Sequence, residues 1–394
     1  MTVCLTAKNV EAAENDGETG MPKSFPLDVD ALLAVLNHLN LGVYITDCKR
    51  RILLWNRKAE EITGYRAADV VGKACHEQIL VHVDKDGHRL CTSRLCPLHR
   101  SITLGKESQE PVLIYAKGKE DQRIAVSVST APLRDAAGKI VGGIEVFRDA
   151  TDQVHDMEFA QRIQRHILPQ SFPGIPGFRF DVRYYPHDLV GGDFYDIRLL
   201  GPNMVGFMVA DVRGHGVSAA LYTMWLKSLG ESLISLAADP EKFITSMGRE
   251  LKKFVVEDSF ATAFYGVLDA GRTELTYTNA GHPAPLHFHA AGGQVTRLGS
   301  HGLPLGILAD AQYEAATVRL EPGDLLLCYT DGIAESADAQ GERLGANGLA
   351  ALLKKEIGLR RKDALERIFR HVKHQCGSVS LSDDVLLLSI ARKA

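Results

Sequence analysis

Two acidic residues stand beside glycines within residues 190–220. Asp193 follows a pair of glycines, and Asp211 precedes a glycine-rich turn. Between them, the apolar run Met204–Ala210 has the length of a β-strand. Carboxylate oxygens are the ligands that Mg²⁺ and Mn²⁺ prefer. This stretch is therefore predicted to bring carboxylates to the margin of a sheet, where they bind a divalent cation.

Further acidic residues repeat this arrangement later in the chain. Asp331 follows the apolar run 325–330 and precedes a glycine, and Asp383 and Asp384 open the last apolar strand. A single Asp before Gly is ordinarily a turn residue. Because four such sites all adjoin apolar strands, we expect their carboxylates to converge at one end of a β-sandwich.

Short strands dominate the C-terminal half, and two helices interrupt them. Helices are predicted over 218–237 and 240–256, the second with Asp239 as its N-cap. Because strands come in runs and helix follows helix, we expect an α+β fold with two antiparallel sheets packed together and flanked by helices. The predicted strands cover 178–184, 204–210, 260–268, 274–278, 324–329 and 384–390.

The N-terminal half shows a different pattern of mixed helices and strands. Residues 1–27 are polar without periodicity and are expected to be a disordered tail. A domain follows over 28–150, in which Asn56 is predicted to cap a helix that Gly64 ends. Its predicted elements are a helix over 31–39, a hairpin of 42–47 with 51–55, a helix over 57–63, and strands over 123–130 and 140–147.

Cysteine and histidine residues cluster inside this first domain. Cys75, Cys91 and Cys96 lie among four histidines. One interpretation is a metal, iron–sulfur or redox site. The other interpretation is that these are buried or surface Cys among incidental His that form no site, because the spacing of Cys91 and Cys96 is not the CxxC of most zinc sites.

An amphipathic linker helix is predicted over residues 151–170. Met157, Ile163 and Ile167 recur at helical spacing among charged residues, and Pro169 ends the pattern. The helix either packs on one of its own domains or forms a parallel coiled coil with a second copy. In both cases it links the two halves mechanically.

Length, net charge and cysteine number restrict which classes of protein this chain can belong to. A chain of 394 residues is expected to hold two or three domains, and a net charge of −4 gives no attraction to nucleic acid or to anionic membranes. We expect no membrane span, because no run of about 18 apolar residues occurs, and no secretory signal. Seven cysteines, an odd number without a regular framework, indicate a reducing cytoplasm.

The first domain resembles a PAS sensor domain. The similarity rests on Gly42-Val-Tyr-Ile-Thr-Asp47, on Trp55-Asn-Arg-Lys-Ala-Glu-Glu-Ile-Thr-Gly-Tyr65 and on the closing Gly142-Gly-Ile-Glu-Val-Phe-Arg-Asp-Ala-Thr151. The resemblance implies a sensing or dimerising module and leaves its ligand unidentified.

The remaining chain resembles the metal-dependent PPM (PP2C-like) serine/threonine phosphatases of the SpoIIE/RsbU branch. The resemblance implies an αββα sandwich over residues 171–394. The matching motifs are collinear and comprise 160–169, Gly191-Gly-Asp-Phe-Tyr-Asp196, Asp211-Val-Arg-Gly-His-Gly216, Asn279-Ala-Gly-His-Pro283, Thr330-Asp-Gly-Ile-Ala-Glu335 and Ser382-Asp-Asp384.

The resemblance also implies roles for individual residues. Asp211 would bridge two Mn²⁺ or Mg²⁺ ions with help from the Val212 carbonyl. Asp193, Asp331 and Asp383 would complete the sites, with Asp384 less suited. Asp193 and Asp211 would thus hold the water that attacks a phosphoserine or phosphothreonine, and no covalent nucleophile is needed.

Three further residues of this half have alternative interpretations. His215 and His282 are either general acids for the leaving alkoxide or, as we favour, residues that hold their turns. Arg213 either contacts the substrate phosphate or is a surface charge on the loop. Cys328 is expected to be a buried strand residue rather than a catalytic thiol.

The functional hypothesis is a PAS-regulated protein phosphatase. By resemblance, its substrate is a small phosphoprotein such as a STAS-type anti-sigma-factor antagonist, and we expect a homodimer through the PAS domain and linker helix. The alternative is a scaffold for partner switching whose metal site has decayed. A PAS-containing histidine kinase is disfavoured, because no ATP-binding motif follows His166.

Overall fold

The computed structural model describes residues 29–85, 87–91, 95–214, 216–253, 259–299, 302–338, 340–358, 363–376 and 383–394. The tail predicted over residues 1–27 and the side chain of His215 lie outside these ranges. The chain forms two compact units, which divide between His155 and Asp156.

The first unit contains one antiparallel five-stranded sheet and several short helices. The elements are α1 (Val29–His38), β1 (Gly42–Asp47), β2 (Ile52–Trp55), α2 (Arg57–Thr63), α3 (Ala67–Val70), a π-helical turn (Cys75–Ile79), α4 (Pro97–Leu104), β3 (Val112–Lys117), β4 (Arg123–Arg134) and β5 (Ile140–Asp149). The strand order in the sheet is β2-β1-β5-β4-β3. The predicted hairpin and both later strands are confirmed, although β4 and β5 run further than the sequence indicates.

Asn56 caps helix α2 as predicted and also holds the chain that precedes the sheet. Its side-chain oxygen accepts a hydrogen bond from the backbone N–H of Ala59 at 3.0 Å. Its amide nitrogen donates to the carbonyls of Leu36 and Leu41 at 2.8 and 2.9 Å. Gly64 ends the helix with a φ of 76°, a left-handed conformation that favours glycine.

The second unit begins within helix α5 and consists mainly of β-strands. Helix α5 ends at Ile167, two residues before Pro169. The elements are α5 (Thr151–Ile167), β6 (Phe178–Tyr185), β7 (Asp193–Gly201), β8 (Met204–Val212), α6 (Gly216–Ser232), α7 (Pro240–Lys253), β9 (Ala261–Asp269), β10 (Glu274–Ala280), β11 (Leu286–His289), β12 (Gln294–Arg297), β13 (Ala316–Arg319), β14 (Leu325–Tyr329), α8 (Asp331–Glu335), α9 (Gly345–Gly358), α10 (Ala364–Cys376) and β15 (Val385–Arg392).

Two antiparallel five-stranded sheets form the centre of this unit. Their orders are β13-β10-β9-β8-β7 and β12-β11-β14-β15-β6. One apolar core joins them, with Phe194 and Phe207 from the first sheet and Leu386 and Leu388 from the second. Helices α6 and α7 pack on the first sheet, and α9 and α10 cover the second. The predicted αββα sandwich is confirmed.

The structure adds elements that the pattern does not predict. Helices α9 and α10 and strands β7, β11, β12 and β13 are not among the predicted elements. Helix α6 ends at Ser232 rather than at residue 237, because the chain tightens into a 3₁₀ turn at Ile234–Leu236. Among the described residues, no helix is long and apolar enough to cross a membrane.

Candidate active site

Asp193 and Asp211 lie opposite each other on neighbouring strands. Asp193 is the first residue of β7, and the antiparallel register of β7 and β8 pairs it with Asp211. Directly opposite residues of an antiparallel pair have Cβ atoms about 4.5–5.5 Å apart. Asp193 is only 2% exposed, and the hydroxyl of Thr330 donates a hydrogen bond to its carboxylate at 2.7 Å. Strand pairing thus brings these two carboxylates together.

The other two predicted carboxylates come from the second sheet. Asp331 begins helix α8 just after β14, and Asp383 lies two residues before β15. Strands β14 and β15 are antiparallel neighbours, so the end of one lies beside the start of the other. The charges of Asp331 and Asp383 both act on Asp211. All four predicted ligands therefore lie in one region, which with Asp384 is called the acidic cluster below.

Two glycines are required for this close approach. A Cβ on Gly332 would overlap the carbonyl of Asp384 and approach the side chain of Asp383 to 3.2 Å. A Cβ on Gly192 would lie 2.8 Å from the carbonyl oxygen of Val212. Space therefore requires glycine at both positions, although neither has the left-handed backbone of a turn glycine.

Mutual repulsion and burial dominate the electrostatics of the acidic cluster. Burial, followed by the charge of Asp211, raises the pKa of Asp193 well above its usual range. Burial and then the charges of Asp331 and Asp383 raise the pKa of Asp211 to about 8. The pKa of Asp331 is also raised, first by burial and then by Asp383. A divalent cation would relieve this repulsion.

The acidic cluster is not preassembled around a single ion. Its donor atoms interact electrostatically, but no three of them lie within 4.8 Å of one another. The all-oxygen donor set is one that suits Mg²⁺ and Mn²⁺.

Asp384 organises the backbone around the cluster. One of its carboxylate oxygens accepts from the N–H of His187 at 2.7 Å, and the other accepts from the N–H of Gly192 at 2.6 Å. Both oxygens thus already hold the loop that leads into β7. This arrangement agrees with the expectation that Asp384 is the less suited ligand of its pair.

The structure favours the turn-holding role of His282. Its Nδ1 lies 2.8 Å from the hydroxyl of Thr262, and its backbone N–H donates to the side chain of Asn279 at 2.8 Å. Burial lowers the pKa of His282 to about 3. The ring is therefore neutral near pH 7 and poorly suited to donate a proton there. Cys328 is buried in β14, as expected.

Arg213 is exposed on the loop after β8, with its guanidinium carbon 5.4 Å from the centre of the Phe260 ring.

Comparison with known families assigns both units. Residues 36–155 match the model of the PAS fold. Residues 201–393 match the model of the Stage II sporulation protein E (SpoIIE) family. The chain joins a PAS domain to a SpoIIE-family domain.

Individual relatives agree with this assignment. The phosphoserine phosphatase RsbP of Bacillus subtilis is 28% identical over 233 residues, which cover 58% of this chain and 56% of RsbP. Protein IcfG of Synechocystis sp. is 27% identical over 265 residues, which cover 60% of this chain and 41% of IcfG. The chain thus spans about half the length of these curated relatives.

A solved structure shows the same fold for the SpoIIE-family domain. The SiaA-PP2C domain of Pseudomonas aeruginosa superposes with a TM-score of 0.55 at 24% identity. The superposition covers 61% of this chain and 99% of that domain.

Gln164 is a site residue of the SpoIIE-family domain that sequence reasoning misses. This residue of helix α5 is 5% exposed, and its side chain donates to the carbonyl of Gly191 at 2.7 Å and accepts from the N–H of the same residue at 3.3 Å. It also contacts the hydroxyl of Thr223 on α6 at 3.2 Å. A buried Gln on an otherwise charged helix, at the apolar spacing of Ala160 and Ile167, is the signal that would have found it.

Within the PAS domain, the three predicted cysteines are buried, and no disulfide joins them. The thiol of Cys91 accepts a hydrogen bond from the backbone N–H of His82 at 3.1 Å. A hydrogen bond with Cys91 lowers the pKa of Cys96 to about 6, helped by its position at the start of helix α4. The structure thus couples Cys91 and Cys96. The three sulfurs do not all lie within 4.8 Å of one another, so they do not form a preassembled site for one ion.

A buried acid lies beside these thiols. Glu145 on β5 is fully buried, and neither carboxylate oxygen has a hydrogen-bond partner among the described residues. The Nε2 atom of His82 lies 3.6 Å from one carboxylate oxygen of Glu145, and the Tyr44 phenol also acts on this acid. Burial lowers the pKa of His82 to about 4, so this histidine is neutral and does not compensate a carboxylate. Burial raises the pKa of Glu145 well above its usual range.

Asp211→Asn is expected to stabilise the SpoIIE-family domain in the presence of a chelator at pH 8. The pKa of Asp211 is about 8 when folded and near the ordinary 3.8 when unfolded. Between these values the folded state binds more protons, so the stability of the wild type falls as the pH rises from about 4 to 8. Thermal unfolding in EDTA should show a shallower fall for the variant and a gain on the order of 2 kcal/mol at pH 8.

The exposed Asp310→Asn is the matched control and should follow the wild type. When Mn²⁺ is added instead of EDTA, the wild type should become more stable than Asp211→Asn. Parallel pH profiles for the two proteins would contradict the repulsion inferred here.

Proposed function

We propose that the SpoIIE-family domain is a Mn²⁺- or Mg²⁺-dependent protein serine/threonine phosphatase. The observation that carries the proposal is the acidic cluster, in which strand pairing and two glycines hold mutually repelling carboxylates together. A fold rarely keeps such repulsion without function, and perturbed acids mark functional sites. The names of RsbP and of RsbU, which is 24% identical over 238 residues, support a phosphoserine substrate.

The cluster would divide its work among a few residues. Asp211 would bridge two ions, with the Val212 carbonyl beside it, and Asp193, Asp331 and Asp383 would complete the donor sets. When bound, the ions supply an activated water and neutralise charge on the phosphoryl oxygens. Asp193 keeps its orientation through the Thr330 hydroxyl.

The proposed substrate is a small phosphorylated regulator, such as a STAS-type anti-sigma-factor antagonist in the cytoplasm. Support comes from the relatives alone, since no residue of this chain identifies the partner. The competing proposal is a decayed scaffold that binds partners without hydrolysis. The acidity of all four ligand positions favours the active enzyme.

We propose that helix α5 transmits the state of the PAS domain to the cluster. Gln164 holds both backbone polar groups of Gly191, two residues before Asp193, and contacts Thr223 on α6. Helix α6 begins at Gly216, just after the β8 strand that carries Asp211. A shift of α5 would therefore disturb both partners of the Asp193–Asp211 pair.

The same helix supports the proposal of a homodimer. Phe159 and Ile163 are 58% and 40% exposed, and their spacing of four residues places them on one face of α5. A second copy of this helix is the partner that such an apolar stripe fits in a parallel coiled coil.

In the PAS domain, we propose that Cys75, Cys91 and Cys96 form a ligand or redox site together with Glu145. Support comes from the burial of all four side chains and from the missing hydrogen-bond partners of Glu145. Because its pKa is raised, Glu145 is protonated and neutral on its own, and a bound cation would favour the carboxylate form that can act as a ligand. Oxidation of Cys91 and Cys96 to a disulfide is the alternative form of the same site.

Asp211→Asn should abolish phosphatase activity. Hydrolysis of a phosphoserine protein and of an aryl phosphate is compared with Mn²⁺, with Mg²⁺ and with EDTA. Because Asp211 would bridge both ions, we expect a loss of more than roughly 100-fold, while Asp310→Asn stays near the wild type. The mechanism would be overturned if the wild type were equally active with and without metal and Asp211→Asn were as active as the wild type. Partner binding without hydrolysis at saturating metal would favour the scaffold.

Gln164→Ala should weaken the coupling between α5 and the cluster. We expect the Mn²⁺ concentration for half-maximal activity to rise roughly fivefold or more, with less change at saturating metal. The exposed Glu158→Gln on the same helix is the control. An unchanged metal dependence in Gln164→Ala would contradict the coupling.

The dimer is tested by comparing the sedimentation of the wild type with that of Phe159→Glu, which should lower the mass. An unchanged mass for Phe159→Glu would contradict the interface.

Cys91→Ser and Cys96→Ser should change the chemistry of the PAS domain. Metal content and free thiols are measured on full-length protein purified without oxygen, before and after peroxide. Either stoichiometric metal or the peroxide-dependent loss of two thiols is expected in the wild type and in the exposed Cys48→Ser, but not in the two buried variants. A wild type that shows neither property would rule out both forms of the site.

A further inference from the structure

Two histidines and an aspartate meet on the outer part of the second sheet. His287 and His289 lie on the same face of β11, two residues apart, and Asp324 precedes β14, the strand paired with β11. Among the described residues, this is the single group of three or more such side chains whose donor atoms all lie within 4.8 Å of one another. It is called the His–Asp triad below.

The distances within the triad are close to those of a metal site. His287 Nε2 lies 2.9 Å from Asp324 Oδ2, and His289 Nδ1 lies 4.0 Å from the same oxygen. Tetrahedral zinc with bonds of about 2.0–2.2 Å separates its ligand atoms by about 3.4 Å. The two observed distances bracket this value, and all three donor atoms lie within 4.8 Å of one another.

Neighbouring groups orient two of the three donors. The carboxylate of Asp324 accepts from the N–H groups of Ala290 and Glu321, both at 2.9 Å. The Nε2 atom of His289 lies 2.8 Å from the hydroxyl of Thr296, which leaves Nδ1 facing the aspartate. Ligating histidines are characteristically held through the other ring nitrogen in this way.

Burial favours an ion with one accessible side. His287 is fully buried and Asp324 is 2% exposed, whereas the His289 side chain is 37% exposed. His289 therefore lies at the solvent side, where an ion would enter and retain a water. The Nε2 atom of His287 is the ring nitrogen that faces Asp324, while Nδ1 is buried without a hydrogen-bond partner among the described residues.

We propose that His287, His289 and Asp324 bind a zinc-class divalent transition metal. The donor set of two imidazoles and one carboxylate suits Zn²⁺, Ni²⁺ or Cu²⁺, whereas the acidic cluster offers oxygen alone and suits Mg²⁺ or Mn²⁺. The site is separate from the proposed catalytic ions. A bound ion would cross-link β11 to the start of β14, the strand that leads to Asp331.

The test is zinc binding by the full-length chain. Metal-free protein is titrated with Zn²⁺ against a chromogenic chelator, using the wild type, His289→Gln and Asp324→Asn. We expect each variant to lose one equivalent, with affinity at this site weakened more than roughly 100-fold. The exposed His38→Gln and the catalytic Asp211→Asn should keep it, so failure here is distinguishable from failure of the phosphatase proposal. Equal stoichiometry in His289→Gln and the wild type would overturn the site.

X-ray absorption of the zinc-loaded wild type provides a readout that does not depend on the folding of variants. A shell with two imidazoles and oxygen is expected. A shell of sulfur alone would assign the zinc to the PAS cysteines and overturn the proposal, as would a shell of oxygen alone, which would assign it to the acidic cluster.

Discussion

The pairing of β7 with β8 is the constraint on which the site depends. It fixes Asp193 opposite Asp211 in a buried position, where like charges raise each other's pKa. Repulsion of this kind opposes folding unless other interactions outweigh it. The surrounding apolar core supplies them, since the residues before Asp211 on β8 are almost all fully buried. The sandwich can therefore hold an arrangement that an isolated hairpin could not.

Sequence reasoning recovered the parts of the fold that local patterns encode. The N-cap at Asn56, the strand before Asp211 and the two packed sheets flanked by helices follow from side-chain chemistry and periodicity, whereas the αββα order came from the family resemblance. The same periodicity is present in α9, where Leu349, Leu352 and Leu353 are buried at helical spacing, but that helix is not among the predicted elements. Strand β7 is different, because buried polar residues such as Asp196 interrupt its apolar pattern.

For the site, the sequence indicated the candidate residues but not how they meet. The four carboxylates could be chosen because each adjoins a strand, yet cross-strand register is a long-range property. The supporting contacts are equally non-local. Thr330 reaches Asp193 from the other sheet, and Gln164 reaches Gly191 from a helix before the domain's first strand. Thr330 leaves no mark in the spacing of nearby residues, and the apolar spacing of Gln164 on α5 indicates that it is buried but not which residue it contacts.

Gly332 places two donors through one contact. Its missing side chain lets the first turn of α8 lie directly on the backbone at Asp383 and Asp384, so Asp331 and Asp383 have their positions set together. The positions of these two acids are consequently coupled. A side chain at position 332 would displace Asp331 and Asp383 at once. Returning only one of them to its position would not rebuild the cluster. The glycine, which binds nothing, is therefore as indispensable as the acids beside it.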